Sequence, residues 1–265
     1  MFDPSATDTV SRFDGLADLY DRYRPDYPDA AIEHVRAQCQ LMPGCRLIDV
    51  GCGTGIASRR FAACGLEVIG IEPNNEMRRQ AELDAVPPDV PPPEYRTGKA
   101  EATGLPGEYA DAVLAAQAFH WFDVEPALRE FLRILKPGGW LALIWNERDR
   151  RDTFTKEYGQ ILRQHSSSVY ADAPQSDSGE HLLRSSHYTN RKRVEFTHSQ
   201  EMDFHSLLGR SFSISFSPRE PEQRERFVMA LRNLFDHFQS AGRVTMKYLT
   251  VVYTGRKPLV VPASR

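Results

Sequence analysis

The sequence has little cysteine, no long apolar run and no excess of charge of either sign. Its four cysteines show no C-x-x-C spacing, so no metal site is expected. No run of about eighteen apolar residues is present, and we expect no membrane-spanning helix. The start, MFDPSATDTV, lacks the basic and apolar regions of a secretory signal. These absences predict a cytoplasmic protein with reduced thiols. The cysteines are Cys39, Cys45, Cys52 and Cys64.

Acidic and basic residues are close to balanced, with 36 Asp and Glu against 33 Lys and Arg. That balance does not favour binding to nucleic acid or to a membrane surface. A length of 265 residues suits one large α/β domain or two small ones. The strand and helix pattern continues beyond the proline-rich stretch at 87–95, so we interpret that stretch as a stiff loop. We therefore expect a single domain over 1–265, as a monomer or homodimer.

The most informative stretch is RLIDVGCGTGIASRRF at 46–61. It runs from a short apolar strand, which ends near Asp49, through a glycine-rich turn into an amphipathic helix. Gly51 and Gly53 lack a Cβ, so the backbone can turn tightly and a ligand can lie against it. A unit of this kind holds nucleotide-like ligands at the carboxyl edge of a sheet.

Strand and helix patterns alternate five times from residue 46 onward. This alternation predicts an α/β fold with a doubly wound, mostly parallel sheet. Alternating apolar residues at 244–252 predict a final antiparallel strand at the edge of that sheet. Ligands bind such sheets where the parallel strands end. Four polar residues stand at or near predicted strand ends: Asp49, Glu72, Gln117 and Asn146.

The glycine turn alone leaves the ligand open, because enzymes that bind NAD, FAD or nucleotides use similar turns. The motif is G-C-G-T-G rather than G-x-G-x-x-G, with Ile56 at the third small position, and no phosphate-binding P-loop motif occurs. Asp49 beside the turn would repel a pyrophosphate and would suit a cationic ligand with a free amino group. Glu72 stands about twenty residues after the first glycine, where an acid can reach a ribose. An NAD-dependent oxidoreductase is the competing interpretation.

LIDVGCGTG, followed by GIEPNNEM, resembles the class I S-adenosylmethionine-dependent methyltransferases. The order YDRYRPDYP, DVGCGTG and AFHWFD is similar to small-molecule methyltransferases of the trans-aconitate and cantharidin type. The resemblance implies a Rossmann-like methyltransferase fold, with a mostly parallel seven-stranded sheet and an antiparallel edge strand. It also implies S-adenosylmethionine as the cofactor and S-adenosylhomocysteine as the product.

The same resemblance implies a role for each segment around the turn. The glycine loop passes the methionine moiety, the acid after the second strand binds the ribose hydroxyls, and the segment after the third strand touches the adenine. The end of the fourth strand meets the cofactor's amino group. Together with the residues argued from their own chemistry, the predicted cofactor-binding residues are Tyr20, Arg24, Asp49, Gly51, Gly53, Glu72, Pro73, Ala100, Glu101, Gln117 and Ala118.

Residues 1–40 are predicted to form a helical arm or lid. Within it, Tyr20 and Arg24 would close over the methionine carboxylate, and a guanidinium can hold a carboxylate by two parallel hydrogen bonds. Tyr23 is assigned to substrate binding. The alternative is an ordinary solvated surface arm.

His120 and Trp121 follow the fourth strand, where the acceptor should approach. We predict that His120 is the catalytic base and contacts substrate, with a structural histidine as the alternative. Trp121 is predicted to bind substrate, or else to belong to the core. Residues at about 150–215 are predicted to form a substrate-side cap. Three polar residues of that segment fit a surface helix better than a pocket wall: His205, Ser211 and Ser213.

Methyl transfer is an in-line displacement that releases a neutral thioether, so alignment and exclusion of water supply most of the rate. We expect a small organic acceptor, with O-methylation of a carboxylate or hydroxyl favoured over N- or C-methylation. QAFHWF does not match the Asn/Asp-Pro-Pro-Tyr/Phe motif of the enzymes that methylate amino groups of nucleic acids. The competing hypothesis is an inactive regulatory or partner protein that binds S-adenosylmethionine.

Overall fold

The computed structural model describes residues 14–84, 86–166 and 174–259, which form a seven-stranded sheet flanked by helices. The strands are β1 (Arg46–Val50), β2 (Glu67–Ile71), β3 (Glu94–Arg96), β4 (Ala110–Ala116), β5 (Leu135–Arg148), β6 (Thr189–Met202) and β7 (Val244–Arg256). The helices are α1 (Ala17–Tyr23), α2 (Asp29–Gln38), α3 (Ile56–Ala62), α4 (Asn75–Leu83), α5 (Val124–Ile134), α6 (Thr153–His165), α7 (Glu180–Arg184), α8 (Phe204–Phe212) and α9 (Pro221–Phe238). Within these ranges, none of the helices combines the length and the apolar character needed to cross a bilayer.

The strand order across the sheet is β3-β2-β1-β4-β5-β7-β6. The strands from β3 to β5 run parallel, and Leu47 of β1 stands opposite Val68 of β2 and Ala112 of β4. β7 runs antiparallel to both of its neighbours, β5 and β6. The predicted fold class, a doubly wound and mostly parallel sheet, is confirmed.

Helices cover both faces of the central strands. α2 and α3 bury Ile32, Val35 and Phe61 against one face, and α5 buries Leu128 and Phe131 against the other. Because parallel strands joined by crossover helices are buried on both sides, β1 and β4 are nearly continuous apolar runs. This packing fixes the carboxyl ends of the strands, where the loops that form the site begin.

A third apolar cluster lies outside these two layers. Phe154 and Tyr158 of α6 pack there with Phe227 and Leu231 of α9 and with Met246 of β7, and α8 contributes to the same cluster. The segment predicted as a cap therefore divides, because α6 and α8 join this cluster whereas β6 joins the sheet. The predicted arm and cap also include residues 1–13 and 167–173, which lie outside the described residues.

The sequence predicts that β7 is the edge strand of the sheet. In the structure β7 is the second strand from that edge, because β6 pairs along its outer side. The β6 sequence, TNRKRVEFTHSQEM, is mostly polar, and only Met202 is fully buried. An edge strand with many charged side chains resists pairing with other molecules, which explains the composition. Because the strand is mostly polar, the alternation of apolar residues predicts only its part around Val194 and Phe196.

Candidate active site

A cavity of about 260 Å³ opens at the carboxyl ends of the parallel strands. The glycine loop after β1, the end of β2, the segments after β3 and β4, and the helix α1 form its wall. Most of the predicted ligand-binding residues lie together on this wall. They are Tyr20, Arg24, Gly51, Gly53, Glu72, Pro73, Ala100, Glu101, Gln117, Ala118 and Trp121.

Two glycines of the loop serve different purposes. Both have positive φ, +69° at Gly51 and +56° at Gly53, a conformation that L side chains rarely adopt. A Cβ on Gly51 would stand 2.7 Å from Cβ of Ala118, so this position must be small for the loops after β1 and β4 to meet. A Cβ on Gly53 would meet no protein atom within 4 Å. Since Gly53 lines the cavity, the space it leaves is available to a ligand.

Glu72 holds the glycine loop in place. Its Oε2 accepts a hydrogen bond from the backbone N–H of Gly53 at 2.9 Å, and its Oε1 accepts one from the backbone N–H of Asn74 at 2.8 Å. Burial raises the pKa of Glu72, although these two N–H groups oppose the shift. An ionised carboxylate has about four acceptor positions, so Glu72 can accept two further hydroxyl donors from the cavity.

Asp49 does not line the cavity, so the expected direct contact between its side chain and the ligand is corrected. The side chain is fully buried, and its Oδ2 accepts a hydrogen bond from Oγ of Ser58 on α3 at 2.6 Å. Oδ1 has no hydrogen-bond partner among the described residues. Burial, with a smaller contribution from the nearby Glu72 carboxylate, raises the pKa of Asp49 to about 7. The alternation of β1 turns this side chain toward α3, away from the ligand.

Arg24 and Tyr20 bring the N-terminal arm onto the cavity. The guanidinium carbon of Arg24 lies 4.5 Å from the centre of the Tyr20 ring, and Nη2 donates a hydrogen bond to the carbonyl oxygen of Ser213 at 3.2 Å. Burial, together with the positive charge of Arg210, lowers the pKa of Arg24 to about 10. These contacts favour the predicted lid over the alternative of a solvated surface arm.

Tyr23 lines neither this cavity nor the one described next, which corrects its assignment to substrate binding. Its hydroxyl lies 2.9 Å from Nε2 of His205, and its ring lies against Gly209 on α8. A Cβ on Gly209 would stand 2.4 Å from the ring, so only glycine allows this approach. Tyr23 therefore anchors α1 to α8.

A second, polar cavity of about 60 Å³ adjoins the first. Tyr20, Arg24, Gln117 and Trp121 line both. The second cavity is otherwise lined by His120, Asn146, Glu147, Arg148, Gln175, Arg210, Ile214, Ser215 and Phe216. Ser211 and Ser213 are buried nearby, and their hydroxyls donate to the carbonyl oxygens of Leu207 and Arg210. They line neither cavity, but both are fully buried, so the prediction of a surface helix is wrong for these two residues.

His120 occupies the second cavity, in a tautomer that its neighbour determines. The indole N–H of Trp145 donates to Nδ1 of His120 at 3.2 Å. Burial, and then the charge of Arg24, lower the pKa of His120 to about 3. A neutral imidazole whose Nδ1 accepts a hydrogen bond carries its proton on Nε2, which has no partner among the described residues. This geometry favours a hydrogen-bond donor to a substrate over the predicted base.

Several residues of the site give no sequence signal. Arg148 ends β5 in a run of charged residues, and Arg210 lies on α8, so only the folded chain brings them together. Met77 and Phe122 are apolar residues that line the larger cavity. In the sequence, Met77 reads only as a buried helix residue and Phe122 only as an aromatic residue in a loop. A periodic pattern identifies the buried face of a helix, but it does not distinguish core from cavity wall.

Comparisons with known proteins agree with this geometry. A family described as a methyltransferase domain matches residues 48–143. An uncharacterized methyltransferase of Schizosaccharomyces pombe is 30% identical over 245 residues, 90% of this chain and 94% of that protein. An uncharacterized methyltransferase of Mycobacterium tuberculosis is 38% identical over 160 residues, 60% of this chain and 61% of that protein. A proposed type II methyltransferase from Anaeromyxobacter dehalogenans has a similar structure, with a TM-score of 0.64 at 24% identity over 89% of this chain and 99% of that one.

The sheet order defines a Rossmann-like α/β protein, and its cavity opens at the carboxyl edge of the sheet, where such folds bind nucleotide-type ligands. The similarity to these relatives shows the family. The chain belongs to the class I S-adenosylmethionine-dependent methyltransferases. The match to the mycobacterial relatives spans 61% of their length. At 24% identity, the solved structure shows a shared fold alone.

Proposed function

We propose that this protein transfers the methyl group of S-adenosylmethionine to a small organic acceptor. The observation that carries the proposal is the pair of adjoining cavities, which share Tyr20, Arg24, Gln117 and Trp121. In-line transfer requires that the two reactants meet in a fixed orientation across a common boundary. The larger cavity suits the nucleoside cofactor, and the smaller one suits the acceptor.

The residues of the larger cavity fit the cofactor. Glu72 has acceptor positions left for the ribose hydroxyls, and the space beside Gly53 admits the methionine moiety. Ala100 and Glu101 would flank the adenine, and Arg24 would be a partner for the methionine carboxylate. When bound, the cofactor supplies an electrophilic methyl carbon attached to a positively charged sulfur.

The chain itself contributes orientation and exclusion of water. We propose that α1 acts as a lid, since Asn146 donates from Nδ2 to the carbonyl oxygen of Asp26 at 3.1 Å and so fixes the chain that follows α1 to the end of β5. We also propose that α8 and the segment that follows it cap the acceptor side, since Arg210 and Ile214 line the second cavity. An oxygen acceptor fits this cavity best, because His120 presents an N–H donor and the arginines present more. O-methylation is therefore our preferred reaction.

Calorimetry and a transfer assay test the proposal. The wild-type protein should bind S-adenosylhomocysteine and should transfer labelled methyl groups to a member of a metabolite mixture, with the product identified by mass spectrometry. Gly53→Val should abolish binding by filling the cavity. Gly44→Val is the matched control, since Gly44 has a similar positive φ and open space but lies outside the cavity.

The outcomes separate the three hypotheses. Binding of NAD in place of S-adenosylhomocysteine would refute the proposal in favour of an oxidoreductase. Binding of S-adenosylhomocysteine with no transfer to any compound of the mixture would favour a regulatory protein. Normal binding by the Gly53 variant would mean that the loop does not contact the ligand, and equal loss of binding in the Gly44 and Gly53 variants would refute the account of a filled cavity.

A further inference from the structure

We infer that the second cavity is a phosphate subsite and that the methyl acceptor is a phosphate monoester, methylated at an atom outside its phosphate group. This inference rests on the proposed function and extends it to the class of acceptor. The observations behind it are an excess of buried positive charge, tyrosines that hold the guanidinium groups in place, and buried donors that lack a hydrogen-bond partner.

The wall of the second cavity carries more positive than negative charge. Its lining includes three arginines, Arg24, Arg148 and Arg210, and Glu147 is the one acid among the lining residues that the structure describes. Burial lowers the pKa of Arg24 and of Arg148, and the charge of Arg210 lowers both further. The three guanidinium groups are therefore close enough to repel one another, and a bound anion would offset that repulsion.

The size of the excess points to a dianion. With three guanidinium groups and one carboxylate, the lining has a net charge of two positive. Oε1 of Glu147 also accepts hydrogen bonds from the backbone N–H groups of Gln175 and Ser176, at 2.7 and 2.6 Å. S-adenosylmethionine cannot supply the missing negative charge, because its sulfonium makes it a net cation. A phosphate monoester carries close to two negative charges at neutral pH, so an acceptor of this class matches the wall.

Each of the three arginines is held by a tyrosine. The ring of Tyr158 has its centre 5.9 Å from the guanidinium carbon of Arg148, and the hydroxyl of Tyr248 lies 3.4 Å from Nε of Arg210. Arg24 has the ring contact described above. Guanidinium groups that are already oriented lose little freedom when an anion binds, which favours affinity.

The arrangement of the donors favours phosphate over carboxylate. Nε of Arg24, Nη1 of Arg210 and Nε2 of His120 are buried without a hydrogen-bond partner among the described residues. They belong to three parts of the chain, namely the end of α1, α8 and the loop after β4. A phosphate monoester has three terminal oxygens that point in different directions, whereas a carboxylate has two in one plane. One phosphate can therefore accept from donors on several sides, and buried donors are costly when they stay unsatisfied.

The reacting atom lies outside the phosphate. Oxygens that accept from guanidinium groups are poor nucleophiles, since those donors stabilise their charge. Gln117 and Trp121 line both cavities, so the rest of the acceptor extends along them toward the cofactor. A lone pair of its nucleophile forms the bond to the methyl carbon while the bond from that carbon to sulfur breaks, and that electron pair stays on sulfur. A proton on the nucleophile leaves to water, because Nδ1 of His120 already accepts from Trp145.

The first experiment measures binding to the subsite by calorimetry, with the full chain saturated by S-adenosylhomocysteine. The probes are methyl phosphate, methyl sulfate and acetate. Methyl sulfate has the shape of methyl phosphate with a single negative charge, and acetate is planar. We expect methyl phosphate to bind at least about 10-fold more tightly than either of the others, as for a lost charge-assisted contact. Equal or tighter binding of acetate or methyl sulfate would overturn the inference.

Variants of Arg210 test whether this binding takes place in the second cavity. Arg210→Met should weaken the binding of methyl phosphate by about 10- to 100-fold. It should leave the Kd for S-adenosylhomocysteine unchanged, because Arg210 does not line the larger cavity, and that Kd is also the check on folding. Arg210→Lys keeps the charge without the fork and should fall in between. Arg226→Met, at an exposed position on α9, is the control. An unchanged Kd for methyl phosphate in both Arg210 variants would overturn the inference.

The second experiment asks whether the acceptor itself carries the phosphate. The wild-type protein and S-adenosylmethionine labelled in the methyl group are mixed with a cell metabolite extract, or with the same extract after alkaline phosphatase and removal of inorganic phosphate. We expect transfer to the untreated extract and a loss of at least about 10-fold after the treatment. Phosphatase added after the reaction should leave the label on the organic part of the product.

The remaining outcomes keep the proposals apart. Failure of the wild-type protein to bind S-adenosylhomocysteine would overturn the proposed function itself. Normal binding of S-adenosylhomocysteine, with equal transfer to both extracts or with transfer to neither, would overturn only the inference. Transfer to the treated extract that returns when inorganic phosphate is added back would overturn the assignment of the phosphate to the acceptor. Label found on the phosphate group would overturn the assignment of the reacting atom.

Discussion

Asp49→Asn should make the free protein more stable at high pH, because the wild-type carboxyl is buried where its charge is disfavoured. The pKa of Asp49 is raised to about 7 in the folded protein, against 3.8 for an ordinary aspartate. Between these values the folded state holds a proton that the unfolded state has released, so the free energy of unfolding falls as pH rises. A difference of about three pKa units corresponds to about 4 kcal/mol above pH 7.

The asparagine variant does not ionise, and its Oδ1 can still accept the hydrogen bond from Ser58. Urea unfolding of both proteins, followed by circular dichroism at pH 5 and at pH 8, measures the difference. We expect the variant to gain about 3 kcal/mol of stability relative to wild type between these two pH values, because the part of the penalty that arises below pH 5 is already present at pH 5. Asp123→Asn is the control, because Asp123 is exposed. A stability difference that does not change with pH would refute the account of a carboxyl that is neutral when folded.

Three further changes test other parts of the site. Glu72→Ala should weaken the binding of S-adenosylhomocysteine by at least about 10-fold, because it removes charge-assisted acceptors and releases the glycine loop; an unchanged Kd by calorimetry would exclude the ribose role. His120→Gln should keep most of the turnover, because its amide N–H can replace Nε2, whereas His120→Ala should lose about 10-fold. Since the pKa of His120 is lowered to about 3, His120 should contribute no ionisation to the rate near pH 6.5. An ionisation there that disappears in His120→Gln would restore His120 as a base. Gly209→Ala should cost about 1–3 kcal/mol in urea unfolding, because its Cβ would collide with the Tyr23 ring; wild-type stability would contradict the close packing of α1 on α8.

The cofactor side of the site could be predicted because it depends on topology. Gly51, Glu72, Ala100 and Gln117 each follow a parallel strand, and the carboxyl ends of such strands lie at one edge of the sheet. The strand pattern was enough to bring Glu72 and Gln117 together, whereas Ala100 was added by the family resemblance. Asp49 was misplaced because it belongs to the strand itself, where alternation decides which way a side chain points.

The acceptor side could not be predicted, because it depends on contacts between distant segments. Tyr23 turns away from the cavities only because Gly209 leaves space for its ring. Arg148 and Arg210 come from a charged run and from a short helix, and neither stretch indicates a pocket. The role of His120 depends on one hydrogen bond from Trp145, in the next strand of the sheet.

Arg24 stands in the wall of both cavities, so under the proposed function one guanidinium faces both the cofactor and the acceptor. A cofactor and an acceptor that both contact this side chain would be coupled through its charge and its position. Thermodynamic linkage then requires each ligand to change the affinity of the other by the same factor. Removing the Arg24 guanidinium should therefore weaken the dependence of each affinity on the other ligand.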